Sequence, residues 1–174
     1  MKPPICQRKP NRMPRYNYSA RGCYFVTICV NNETNLGEIN GGEIALSDIG
    51  ETVKKCWLEI PDHFTGIRLD EFIIMPDHLH GILVILQNSR NANLRSLQNT
   101  NINRSKMLLS KVIQNFKAAV TREVNKSGSY QAIVWQKSFY DHIIHSYKEL
   151  IAVRRYIKDN PINWQKNDND YIDM

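Results

Sequence analysis

IIMPDHLHGILVIL, residues 73–86, is apolar almost throughout, which is the pattern of a buried strand, yet it carries Asp77, His78 and His80. Side chains alternate across a strand, so His78 and His80 project from one face and Leu79 from the other. Two imidazoles on one face can hold one divalent ion. The bland alternative is a pair of histidines hydrogen-bonded at a strand end, since buried ring nitrogens need partners. Pro76 and Asp77 form a turn, and residues 67–75 read as the preceding strand, so residues 67–86 predict a hairpin.

The neighbouring segments read outward from this hairpin. CYFVTICV, residues 23–30, is β-branched and aromatic, a strand. LGEINGGEIAL, residues 36–46, is a short hairpin in which Asn40-Gly41-Gly42 supplies the positive φ of a tight turn. Asp48 and Glu51 are spaced as a capping box. A helix follows, with Ile49, Val53, Cys56, Trp57 and Ile60 on one side, ending at Pro61. A second helix spans residues 105–126, with Leu109, Val112, Phe116 and Val120 on one face and Lys106, Lys111, Lys117, Arg122 and Lys126 outside it. YQAIVW, residues 130–135, predicts a short strand. A last helix begins at Ser146, where Ser146 and Glu149 form another capping box, and stops before Pro161. The order predicts an α+β fold: helices packed on a mainly antiparallel sheet of about four to five strands.

The 174 residues suit one domain, expected over 22–164, with a basic arm at 1–21 and a short tail at 165–174. No apolar run approaches the roughly 18 residues of a membrane span, and the opening residues lack the apolar region of a secretory signal. The four cysteines (Cys6, Cys23, Cys29, Cys56) form no CxxC pair, so a reduced, cytoplasmic protein is expected. The net charge is +6 and unevenly spread. The arm holds Lys2, Arg8, Lys9, Arg12, Arg15 and Arg21 and no acid, and residues 90–126 set eight Lys/Arg against Glu123 alone. Such a distribution points to a polyanion, most simply nucleic acid, or else to a solubilising tail and a solvated helix face. Residues 87–105 form a polar, Asn-rich linker, long for a compact domain.

The last helix adds chemistry. Tyr156 and Asn160 are four apart and stack on one face, beside the apolar row Leu150, Val153 and Ile157. Asn160 offers a carbonyl oxygen that can ligate a hard cation. Arg154, Arg155 and Lys158 lie on the remaining faces, where phosphates can be bound. Against this, an inward tyrosine is usually core and an Asn before Pro usually ends a helix. Tyr16, Tyr18 and Trp135 suit base stacking or packing equally.

MPDHLH, VWQKSFYDHIIH and YIKDNP occur in this order, over residues 75–80, 134–145 and 156–161. Together they resemble the single-tyrosine HUH transposases, particularly the REP-associated tyrosine transposases, over roughly residues 20–164. The resemblance implies a ferredoxin-like or RRM-like HUH nuclease fold. It implies His78, His80 and Asn160 as ligands of a divalent ion, Mg²⁺ or Mn²⁺, and Tyr156 as the nucleophile. The implied activity is cleavage and rejoining of single-stranded DNA, at hairpin or palindromic sequences, through a 5′-phosphotyrosine. Arg12, Arg15, Arg21, Lys106, Lys111, Arg154, Arg155 and Lys158 are the candidate DNA-binding residues. Asp141-His142 matches a family signature without an evident role. His145 departs from the family, many members of which have Arg there. The implied partner is single-stranded or hairpin DNA, the implied setting the nucleoid, and the chain a monomer or homodimer. Two other classes remain open: a domesticated hairpin-binding protein that no longer cuts, and a metal hydrolase using water. The second lacks an obvious carboxylate partner for the histidines, and the chain is short for a (β/α)₈ barrel.

Overall fold

The computed structural model describes residues 16–86, 107–126 and 134–164. The arm up to residue 15, the linker of residues 87–106, residues 127–133 and the tail from 165 lie outside the described residues, and with them Arg12, Arg15 and Lys106.

The elements are β1 (Gly22–Cys29), β2 (Gly37–Asn40), β3 (Glu43–Leu46), α1 (Asp48–Leu58), α2 (Ile60–His63), β4 (Ile67–Ile74), β5 (His78–Ile85), α3 (Leu108–Lys126), β6 (Tyr140–Ile144) and α4 (Tyr147–Trp164). Four strands form one antiparallel sheet in the order β4-β5-β1-β6. Strand, helix, two strands, helix, strand in that spatial order is the expected ferredoxin-like α+β fold, with the β2–β3 hairpin inserted after β1. The hairpin is a separate two-stranded sheet, and its turn residues Gly41 and Gly42 take φ of 62° and 85°, a left-handed turn that suits glycine.

β5 sits in the interior of the sheet and is buried along nearly its whole length. Leu79, Leu83 and Ile85 face α1 and α3, where they join Tyr24, Val26 and Ile28 of β1 around Trp57 and Phe116. The opposite face carries His78, His80 and Ile82. There Ile82 packs with Phe25 and Ile144 under Val153 and Ile157 of α4. The predicted apolar row of α3 is buried: Leu109, Val112, Phe116 and Val120.

Three expectations are corrected. The edge strand is Tyr140–Ile144, paired with Cys23 to Thr27 of β1. Trp135, in the expected strand at 130–135, makes only an isolated bridge to Val30. Its ring packs 5.4 Å from that of Phe116; residues 130–133 of that expected strand lie outside the described residues. The cap of α1 is Ser47, whose hydroxyl accepts from the Gly50 amide at 3.1 Å. Asp48 and Glu51 fall inside the first turn, where their charge suits the helix N-terminus. α4 runs through Pro161 to Trp164. An interior proline removes one ladder bond and costs about 3 kcal/mol. Burial of the Pro161 ring, and the Trp164 ring 5.7 Å from that of His78, offset that loss.

Pro61 lies in the first turn of α2, just after α1 ends, as its missing amide hydrogen favours. None of the described helices is long and apolar enough to cross a membrane.

Gly81 lies between the histidine pair and the apolar end of β5, and a Cβ there would collide with the Trp57 ring. Gly81→Ala should therefore destabilise by about 1–3 kcal/mol, read as a lower urea midpoint with an unchanged slope.

Candidate metal and nucleophile site

The β1–β5 register sets Thr27 opposite His80 and Cys29 opposite His78. Thr27 Oγ1 lies 2.9 Å from His80 Nδ1. Asp77 Oδ1 lies 2.5 Å from His78 Nδ1. A carboxylate only accepts, so the His78 proton sits on Nδ1; the threonine hydroxyl can accept from His80 Nδ1 in the same way or donate to it. The two Nε2 atoms face each other at 2.9 Å, sharing one N–H···N hydrogen bond when the threonine donates and presenting two lone pairs when it accepts. Both rings are buried. Burial, reinforced by the neighbouring His78, holds the His80 pKa well below its usual value, so the ring is neutral and its Nε2 is available as a ligand.

Two lone pairs at that distance repel unless a cation or proton lies between them. Two adjacent ligands of an octahedral ion, each at about 2.1 Å, stand about 3.0 Å apart. The pair therefore fits a single divalent ion, with Asp77 and Thr27 orienting the two rings from behind.

α4 brings the third party. The Tyr156 hydroxyl lies 3.3 Å from His80 Nε2, with the ring centroids 5.3 Å apart. Its ring also meets Phe25 edge-on at 6.0 Å. One helical turn further on is Asn160, and one more is Trp164 against His78. Tyr156, Asn160 and Trp164 recur at i, i+4, i+8, so Asn160 lies between the two residues that touch the two histidines. No hydrogen bond ties its side chain to another described residue. Two imidazole nitrogens and an amide oxygen could thus hold the ion together.

The basic candidates divide. Arg154 forks onto Asp70, with Nε donating to Oδ1 at 2.7 Å and Nη2 to Oδ2 at 2.6 Å. Lys158 Nζ lies 3.2 Å from Glu71 Oε2. Arg155 and Lys148 stay on the outer side of α4, lining a shallow recess with Tyr156 and Asn163. Lys111 is exposed on α3, on the far side of the sheet, and Arg21 is exposed just before β1. His142 projects from the same sheet face as the histidine pair, two strands over, and its Nε2 pairs with Glu149 Oε1 at 2.6 Å. Glu149 also accepts from the His145 amide, while its own amide donates to Ser146 Oγ. Ser146 therefore caps α4 as expected, but the returning bond of Glu149 reaches one residue further back. Asp141 lies on the opposite face of β6.

Tyr18 and Trp135 are buried and Tyr16 packs edge-on against Tyr18, so these aromatics serve packing. Thr27, Asp70 and Trp164 were not picked out by motif. Thr27 is the lone aliphatic hydroxyl in a largely apolar strand, and Asp70-Glu71 the lone pair of adjacent acids in a described strand.

No family model matches the chain. An uncharacterised protein of Haemophilus influenzae is 38% identical over 175 residues, covering 97% of this chain and 96% of its own. A solved REP-associated tyrosine transposase, bound to a REP hairpin, aligns with a TM-score of 0.59 at 16% identity, over 91% of this chain and 74% of that one. At that identity the likeness is one of fold, and the fold is transposase-like.

The Arg154 fork holds the Asp70 carboxyl below its ordinary 3.8. A depressed acid contributes stability above its unfolded pKa and loses it as pH falls through the folded one. Asp70→Asn should cost about 1 kcal/mol at pH 7, since the pair is partly exposed. The difference from wild type should shrink below pH ~4, as read by urea midpoints across pH.

Proposed function

The chain belongs to one family with the uncharacterised Haemophilus influenzae protein, and we propose that it is a metal-dependent endonuclease and strand transferase of single-stranded DNA. One observation carries this reading: the Tyr156 hydroxyl stands 3.3 Å from His80 Nε2, beside a second Nε2 only 2.9 Å further on. A candidate nucleophile thus stands next to two candidate nitrogen ligands. The hairpin bound by the transposase of like fold makes hairpin or palindromic DNA the substrate of first choice.

His78, His80 and Asn160 would hold Mg²⁺ or Mn²⁺, for which nitrogen and oxygen donors both serve. When bound, the ion supplies charge to polarise the scissile phosphate. Phenols ionise near pH 10, so a tyrosine attacks poorly at neutral pH without such help. Tyr156 forms a bond from its phenol oxygen to phosphorus and gives its proton to solvent. The bond from phosphorus to the 3′ oxygen breaks, and that oxygen leaves as a hydroxyl after taking up a proton. A 5′-phosphotyrosine remains, conserving one phosphodiester-like bond. A second 3′-hydroxyl attacks the same phosphorus and releases the phenol, so strands are rejoined without a nucleotide cofactor. Phe25 packs against the Tyr156 and His80 rings and Trp164 against that of His78, so apolar rings flank the proposed site. Arg155 and Lys148 would meet the backbone phosphates beside Tyr156.

Incubation with end-labelled hairpin DNA and Mn²⁺ should give a protein–DNA adduct stable on a denaturing gel. Tyr156→Phe should reduce it to background while DNA binding persists. Binding without any adduct in the wild-type protein would instead indicate a hairpin-binding protein that does not cut. Cleavage that survives Tyr156→Phe would contradict the mechanism.

Asp77→Asn and Thr27→Val should each weaken Mn²⁺ binding about 10–100-fold, measured by titration calorimetry. Neither touches the ion, so an unchanged affinity would remove their orienting role.

A further inference from the structure

We propose that Asp70 is a positioning residue, which by gripping Arg154 fixes the rotation of α4 and with it the Tyr156 phenol beside His80. The inference rests on the strand-transfer reading of the site and names what sets the nucleophile.

The pairing of β4 with β5 is irregular. Leu69 pairs with Leu83 and Phe72 with Gly81, so β4 advances three residues while β5 advances two. Leu69 and Phe72 nevertheless both pack toward the core under α1 and α3, which an unbroken strand forbids for residues three apart. The extra residue is a β-bulge, a device that re-aims side chains. Here it presents two successive carboxylates, Asp70 and Glu71, to one helix. Ile73, three residues after Asp70, pairs with His80, so the bulge adjoins the histidine row.

Both carboxylates are used by α4. The Asp70–Arg154 contact is a two-bond fork, and Asp70 Oδ1 also accepts the Glu71 amide at 2.8 Å. This carboxylate is held from two sides, and the planar fork fixes the guanidinium in angle as well as distance. Lys158, four residues after Arg154, adds a looser pair with Glu71.

The helix converts that grip into a placement of the phenol. Val153 and Ile157 face down onto the sheet. Arg154 and Tyr156, two apart, point about 200° from each other around the axis. Arg154 reaches to the β4 edge while Tyr156 leans toward Phe25 of β1. Rotating α4 therefore raises one as it lowers the other. For a side chain extending about 6 Å from the axis, a rotation of about 10° moves its tip by about 1 Å, and an error of that size can cost about a hundredfold in rate. Apolar packing by Val153 and Ile157 tolerates such a rotation better than a two-bond fork does.

The same contacts divide the cations of α4. Arg154 and Lys158 are committed to the bulge, which leaves Arg155 and Lys148 for the DNA strand.

The test uses the full chain, hairpin DNA and Mn²⁺, with Asp70→Asn, Arg154→Lys and Arg155→Ala. Asp70→Asn and Arg154→Lys should each slow adduct formation at saturating DNA about tenfold or more, with the half-saturating DNA concentration within about twofold of wild type. Arg155→Ala should do the reverse, raising the half-saturating concentration with little effect on the saturated rate. Hydrogen exchange should quicken in peptides from residues 147–164 and stay unchanged in residues 78–85. Arg154→Lys keeps the charge and loses the fork, so it reads the geometry even if Asp70→Asn folds poorly. Wild-type rates and unchanged helix exchange in both clamp variants would overturn the proposal, as would equal loosening of residues 78–85. If the wild-type chain forms no adduct, the strand-transfer reading fails. The exchange measurements still decide whether Asp70 holds α4.

Discussion

The β1–β5 ladder is the constraint on which the rest depends. It is a plain antiparallel pairing with eight matched positions from Gly22↔Ile85 to Cys29↔His78. Its register places Thr27 beside His80, and the period of two then fixes which face each neighbour takes. A slip of one residue would turn both imidazoles toward Trp57 and Phe116 and bring Leu79 under α4. The slip is blocked by apolar burial, because Leu79, Leu83 and Ile85 are sealed into the core. The hydrophobic effect thus aims two polar rings, and the hydrogen bonds to Thr27 and Asp77 offset part of the cost of burying them.

The two halves of the site are held by different forces. The histidines stand on a buried central strand, so their geometry shares the stability of the whole fold. Tyr156 stands on a helix that lies over the sheet and is tied at its edges by side-chain contacts: the His142–Glu149 hydrogen bond at β6 and the Arg154–Asp70 and Lys158–Glu71 ion pairs at β4. Such a layout would suit the proposed strand transfer, in which the histidine pair would stay fixed while Tyr156 would accept and release DNA.

Much of this could be read from the residues. The two-histidine strand, the preceding strand and its turn, the glycine hairpin and the buried row of α3 all follow from periodicity and turn chemistry, because those signals are local. The inward face of Tyr156 followed from its place beside the apolar row of the last helix. Residues whose role depends on register were not legible. YDHII at 140–144 mixes polar and apolar residues, and only its pairing with β1 makes it the edge strand. The bulge in β4 is likewise invisible in IRLDEFII, where Asp70 and Glu71 look like a solvated interruption. Pro161 was expected to end α4, since proline rules describe a helix in isolation and not one whose proline and final tryptophan are packed.

The central claim is that Tyr156 and the histidine pair form a single reactive site. Peptide mapping by mass spectrometry tests it most directly, after incubation of the chain with single-stranded hairpin DNA and Mn²⁺ and nuclease trimming. The account predicts a nucleotide-sized mass increment confined to the peptide that carries Tyr156, absent without metal and absent in His80→Ala. An increment on a different residue, or one on Tyr156 that persists without His80, would contradict it.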